Sequence, residues 1–174
     1  GTGVLSEKIQ RVVDEYLIHQ SRAEMSNVGY YEDLEINLTT IENYFNDNSS
    51  GSVTELLGNF FDSWEEASKF PEESSYRTSI LSSAEMLMNK FSQLNSDLKS
   101  MASQVETNMK IQVSEINTLV EKIQNVNKRI ASAGVHEPNS LYDERDSYLD
   151  RLSKLSDVKI TNDENNPRLI NVEI

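Results

Sequence analysis
Between Ser74 and Ala133 the apolar residues return every three or four positions without a proline or glycine to interrupt them. The stripe reads Ile80, Ala84, Leu87, Phe91, Leu94, Leu98, Met101 and Val105, with steps alternating between four and three. That alternation is the heptad rule of a coiled-coil seam. After Val105 the rule would call for Asn108 and Gln112, but the apolar residues stand at Met109 and Val113, then Ile116. Two successive steps of four make a stutter, which locally unwinds a supercoil. The stripe resumes through Leu119, Ile123, Val126 and Ile130. A helix of about 60 residues at ~1.5 Å per residue is a rod of ~90 Å. Such a rod spans distance; it does not economically enclose a small-molecule pocket.

Shorter segments flank it. Ile9, Val12, Val13, Tyr16, Leu17 and Ala23 recur at helical spacing over roughly residues 4–28, and Gly29 then ends or bends that helix. A second stripe follows at Leu34, Leu38, Ile41 and Phe45, closed by the turn-forming NDNSSGS at 46–52. Ser52 and Glu55 form a capping box. The helix behind it carries Val53, Leu56, Leu57, Phe60, Phe61 and Trp64 on one face, and Pro71 stops it. Phe60, Phe61 and Trp64 are expected to fill the gap between this short helix and the long one, rather than to anchor a partner. Gly134 fits a left-handed C-terminal cap of the long helix, with Val135 as its apolar companion. Beyond Leu155 the period changes to two: Val158 and Ile160, then Ile170, Val172 and Ile174, around the turn NDENNP at 162–167. The expected fold is mainly α: an elongated antiparallel bundle of long helices with coiled-coil-like packing. Residues 1–157 form the helical domain, and 158–174 begin a β-rich domain that is cut short.

The densest cluster of ionisable groups is HEPNSLYDERDSYLDRLSKL at 136–155, where His136 stands with Glu137, Asp143, Glu144, Asp146 and Asp150. It reads as the start of a helix rather than as an active site. Ser140 and Asp143 make a capping box in its Asp form, and the early carboxylates suit the positive end of the helix dipole. Asp143, Asp146 and Asp150 share one face, while Leu141, Leu149, Leu152 and Leu155 take another. Arg145 falls on the apolar side, so it is expected to pair with a carboxylate, one candidate being on the long helix, and Arg145→Ala is expected to lower stability.

Other chemistry lacks its residues. In the loop at 46–57 a calcium-binding pattern would use Asn46, Asn48, Ser50 and Gly51, but position 12 is Leu57 where a bidentate Glu belongs. A di-iron carboxylate bundle needs Glu-x-x-His on two helices, and neither His19 nor His136 has a Glu three positions before it. There is no G-x-S-x-G, no G-x-G-x-x-G and no cysteine. A net charge of −13 repels phosphate backbones and anionic lipid, so neither nucleic acid nor a membrane surface is expected as a partner. No apolar run approaches the ~18 residues of a membrane span, and the N-terminal residues do not have the pattern of a cleavable signal. No catalytic residue, cofactor or metal is expected.

Taken together, the motifs resemble the family of flagellar hook-associated protein 1, the first junction protein between hook and filament. FFDSWEEASKFPEESSYR at 60–77 is similar to that family's F-F-x-S-W-x-x-L-S-x-x-P-x-x-x-x-x-R. Phe60, Phe61, Ser63, Trp64, Ser68, Pro71 and Arg77 match it, with Ala67 where Leu is usual. GTGV at 1–4, Asp14, Gln20, Arg22, Gly29 and Tyr30 fit its first helix, and Ile41, Glu42 and Phe45 the approach to the loop. EINTLVEKIQNVNKRI at 115–130 resembles I-N-x-L-x-x-Q-I-x-x-L-N-x-x-I, with Lys122 where Gln is common. PNSLYDERDSYLDRLS at 138–153 resembles P-N-D-L-L-D-Q-R-D-x-L-L-x-x-L-S through Asn139, Asp143, Arg145 and Asp146.

The resemblance implies a structural protein with no catalytic residues, exported through the flagellar apparatus without a cleavable signal. It implies the hook protein, hook-associated protein 3 and neighbouring copies of itself as partners of the full-length protein. It also implies that terminal core helices, which drive polymerisation, are missing from this chain, which alone is then expected to be monomeric. Periodicity by itself also permits a secreted helical binding module, and hook-associated protein 3 is the nearer rival. An enzyme has only the acidic stretch at 136–155 in its favour.

Overall fold
The computed structural model describes residues 14–45, 51–133 and 138–174. The GTGV start, the stripe up to Val13, the calcium-like positions Asn46 to Ser50, the Gly134 cap with Val135, and His136 and Glu137 lie outside the described residues. Helix α1 spans Glu15–Tyr44, α2 Val53–Lys69, α3 Ser74–Ser132 and α4 Asn139–Leu155, and strands β1 (Lys159–Asn162) and β2 (Ile170–Glu173) follow. The chain divides into two compact units: Leu34–Lys110 forms one, and the chain up to Asp33 together with Ile111–Ile174 forms the other.

In the second of these units α3, α4 and the hairpin share a core. Leu119, Ile123, Leu149 and Leu152 are its buried centre, and Ile160, Ile170 and Val172 pack against it from the strands. The strands are antiparallel with Ile160 opposite Val172 and Asn162 opposite Ile170. The turn between them is built by Asp163, whose Oδ1 accepts the amides of Asn165 and Asn166 at 2.9 and 3.0 Å. A two-stranded hairpin is marginal alone, and here the helices cover its apolar face.

Helix α1 runs unbroken through Gly29. The glycine answers a contact through space: a Cβ there would collide with the backbone carbonyl oxygen of Lys154, in the last turn of α4. That carbonyl is one of the four at a helix end that have no partner within the helix. Tyr16 and Leu17 of the expected first stripe are exposed, and Arg22 is the buried residue of α1.

In the unit formed by Leu34–Lys110, α2 starts as its sequence says. Ser52 Oγ accepts the Glu55 amide at 3.1 Å, and Glu55 Oε2 accepts the Gly51 amide at 2.7 Å. Gly51 has φ +82°, which a residue with a Cβ rarely adopts. At the far end Pro71 follows the C-cap Phe70, and α3 begins at Ser74.

The start of α4 departs from expectation. The helix begins at Asn139, and the carbonyl of its N-cap Pro138 accepts the amides of Leu141 and Tyr142 at 2.8 and 3.2 Å. Ser140 therefore lies inside the first turn and is not the N-cap, and Asp143 and Glu144 fall past that turn. The Pro138 carbonyl is thus the first acceptor of the helix, and no side chain caps it.

Candidate functional site: polar ties between helices
The acidic face of α4 has a specific occupant. Arg22 of α1 lays its guanidinium across Asp146 and Asp150, with Nη2 donating to Asp146 at 3.0 Å and Nε to Asp150 at 2.9 Å. The two carboxylates are one turn apart, a spacing that a planar fork of donors spans and a single ammonium does not. The Arg22 side chain is only 8% exposed, against 24% and 45% for the two aspartates. It is a desolvated charge held by two half-hydrated ones.

Arg145, on the neighbouring face, ties three elements. It donates from Nη1 to Asn127 Oδ1 of α3 and to the Arg168 carbonyl, each at 3.0 Å, and its guanidinium lies 5.4 Å from the Tyr142 ring centroid. At this contact with the long helix the partner is a side-chain amide, where a carboxylate was expected. The amide suits the place because it faces both ways: Asn127 Nδ2 donates to the Ile170 carbonyl of β2 at 2.9 Å. Arg168, just before β2, closes the circuit. Its two terminal nitrogens donate to the Ala133 carbonyl at the end of α3, both at 3.2 Å, and its Nε to the Tyr142 hydroxyl at 3.3 Å. A cation there also meets the negative end of the helix dipole. Arg129 pairs with Glu144 at 2.8 Å, and Arg151 pairs with Glu115.

The motif at 60–77 forms a separate place. Ser63 of α2 and Ser83 of α3 are buried, with their hydroxyl oxygens 3.0 Å apart. Each also contacts a carbonyl of its own helix, Phe60 at 2.7 Å and Ile80 at 3.0 Å. Two hydroxyls have two protons between them, so only two of these three contacts are full hydrogen bonds at any moment. The pair sets small residues at the seam. The rings do not fill it: Phe61 is 64% and Trp64 54% exposed, while Phe60 is half-buried and meets both edge-to-face. This corrects the expectation that all three rings pack between α2 and α3.

Pro71 and Arg77 prove to be partners. Arg77 Nη2 donates to the Pro71 carbonyl at 2.9 Å, bracing the turn from α2 to α3, and Phe70 stacks on Tyr76 with centroids 5.3 Å apart. Nearby, Glu66 and Glu65 both accept from Lys69, and these hydrogen bonds hold its ammonium above the usual lysine range.

The expected motif residues thus gather at two places. Asn139, Asp143, Arg145 and Asp146 lie on α4, with Asp143 exposed. Phe60, Phe61, Ser63, Trp64, Pro71 and Arg77 lie around the α2–α3 turn. Sequence reasoning placed Arg22 only by resemblance and gave Asn127 and Arg168 no role. The one available signal was Asp146 and Asp150 at four-residue spacing on a face away from the leucines, a pair that asks for a forked cation. Among the described residues no group of three His, Cys, Asp or Glu side chains is placed to hold a metal ion, and no helix is long and apolar enough to cross a membrane. The ties above join helix to helix, helix to strand and the two arms of the α2–α3 turn.

The model of the flagellar hook-associated protein FlgK helical domain matches residues 38–174. Flagellar hook-associated protein 1 of Bacillus subtilis (strain 168) is 28% identical over 164 residues, covering 92% of this chain and 32% of the relative. Its counterpart in Salmonella typhimurium is 28% identical over 166 residues, covering 92% and 30%. The fold is that of the flagellar hook junction protein FlgK from Burkholderia pseudomallei, with a TM-score of 0.79, 22% identity, and coverage of 90% of this chain and 27% of that one. The chain spans about a third of the length of the curated relatives it matches.

Proposed function
This chain belongs to the family of the flagellar hook-associated protein FlgK helical domain, and from that membership we propose that it serves as the helical domain of a protein joining hook to filament. The role is structural, without a reaction, and its place is outside the cell on the flagellum, reached by the flagellar export apparatus. The partners are the hook protein, hook-associated protein 3 and neighbouring copies. In this reading residues 1–157 are the helical domain and 158–174 open a β-rich one. The motif residues are structural: Ser63 sets the α2–α3 seam, Pro71 and Arg77 brace its turn, and Arg145 and Asp146 fasten α4.

The observation that carries the reading is the family match over residues 38–174. The physical support is a 59-residue helix, α3, whose C-terminal end is fastened by polar ties to α4 and the hairpin. A joint between two helical tubes needs long members that keep their register under load. Forked hydrogen bonds fix register, because sliding by one turn breaks both arms at once.

Deleting the gene for this protein in its source bacterium tests the proposal. The expected result is cells with hooks but no attached filaments under the electron microscope, and flagellin released into the medium. Filaments in normal number on the deletion strain would contradict it.

A further inference from the structure
The α2–α3 turn carries a cleft beside the Arg77–Pro71 contact. It has a volume of about 490 Å³; Trp64, Ala67, Phe70, Pro71, Ile80 and Leu81 form its apolar wall, and Glu73 and Arg77 are its charged lining. That volume lies within the ~300–1,000 Å³ of ligand-binding clefts. Its apolar walls are unusually wet: Leu81 is 71% exposed, Trp64 54% and Phe70 46%. Contiguous exposed apolar surface of this kind marks an interaction site more often than a packing accident.

The charge around the cleft says what covers it. The segment 62–81 carries five carboxylates and two cations. Lys69 is paired with Glu65 and Glu66, while Arg77, which lines the cleft, donates to the neutral Pro71 carbonyl and keeps its charge, so the segment as a whole stays three charges negative. Among the described residues no cation pairs with Asp62, Glu72 or Glu73. The positive end of α3 favours Glu72 and Glu73 but does not neutralise them. A second copy of this chain would bring its own excess of negative charge to the contact, since the whole chain is −13.

We propose that this cleft is a docking site for an amphipathic protein segment whose large apolar side chains are flanked by lysine or arginine. The apolar side chains enter between Trp64 and Leu81, and the flanking cations meet Glu73 in the wall and Glu72 beside it in the chain. Charge sets the approach and the register, and the apolar contacts slow departure. The inference uses the cleft's own chemistry and stands apart from the junction role.

The chain contains one tryptophan, and it lines the cleft, so its emission reports occupancy directly. The whole chain is titrated with a helical peptide of leucine and lysine, with a leucine/glutamate peptide of the same pattern, and with a serine/lysine peptide. The leucine/lysine peptide is expected to give a saturable blue shift, weakened about tenfold or more by Leu81→Gln and by the double change Glu72→Gln with Glu73→Gln. Raising the salt from about 0.05 to 0.5 M should weaken it several-fold, since screening shortens the reach of the carboxylates. Leu81 is exposed, so its substitution leaves the fold intact, and an unchanged melting temperature checks this. Four results overturn the proposal: no shift with any peptide, equal binding of the leucine/glutamate or serine/lysine peptide, undiminished binding by Leu81→Gln, or a blue shift that grows with the chain's own concentration. The last would assign the cleft to a second copy.

Discussion

Helix α3 carries the same apolar spacing at both ends and buries it differently. Toward its C-terminus Leu119, Ile123, Val126 and Ile130 are each 3% exposed or less. Toward its N-terminus Leu94 is buried, Ile80, Ala84 and Leu87 are half-buried, and Phe91 and Leu98 are 50% and 37% exposed. The C-terminal stretch lies under α4 and the hairpin, held by Asn127, Arg145 and Arg168. The N-terminal stretch meets α2 across a seam of small residues at Ser63 and Ser83. A periodic stripe records that one side of a helix is apolar. How many neighbours cover it depends on the other chain segments and on the polar ties that hold them.

Truncations at the two ends should separate them most. Leu152 is fully buried against the C-terminal stretch, and Leu152→Ala should cost about 2–5 kcal/mol. Phe91→Ala, at a half-exposed site, should cost less than about 1 kcal/mol, because the ring keeps much of its hydration when folded. Urea unfolding followed by circular dichroism measures both, and equal losses would erase the contrast.

The Arg22 tie comes next. Arg22→Ala removes one guanidinium from two aspartates, and a buried pair broken in this way costs about 3–5 kcal/mol. Asp150 is nearly half-exposed and recovers water, so a loss of about 1–3 kcal/mol is expected. Arg22→Lys should restore only part of it, since a compact ammonium lacks the planar fork whose Nε and Nη2 each reach one of these carboxylates. Full recovery with lysine would show that charge alone, without the fork, does the fastening.

The smallest effect belongs to the seam of the other unit. Ser63→Ala should cost about 1 kcal/mol, the usual size of one hydrogen bond. Adding Ser83→Ala should cost less than the two single changes together, because the hydroxyls share their protons. Strict additivity in a double-mutant cycle would mean the 3.0 Å contact contributes nothing.

Much of this was legible in the chain. Ser52 caps α2 through the Glu55 amide while Glu55 reaches back to the Gly51 amide, Pro71 follows the end of the helix, and the change of period at Val158 finds both strands. What escaped depended on residues far apart. Arg22 and Asp146 are 124 positions apart, and nothing local to either names the other. Gly29 read as an end or a bend of its helix because glycine is a poor helix former; its reason is the Lys154 carbonyl across the interface. Ser140 satisfied the capping-box pattern, yet Pro138 two positions earlier supplied the helix start. The exposed rings of Phe61 and Trp64 escaped because helical spacing places residues on a face without saying what that face meets.

The central claim is that α3 draws its stability from the neighbours of its C-terminal stretch and not from its own periodicity. Native-state hydrogen exchange along α3 tests it directly, because local opening exposes amides in proportion to what covers them. The slowest-exchanging amides should lie between Leu119 and Ile130, with residues 84–98 exchanging faster by at least about tenfold, a difference of about 1.4 kcal/mol. Equal protection along the two stretches, or greater protection at 84–98, would contradict the account.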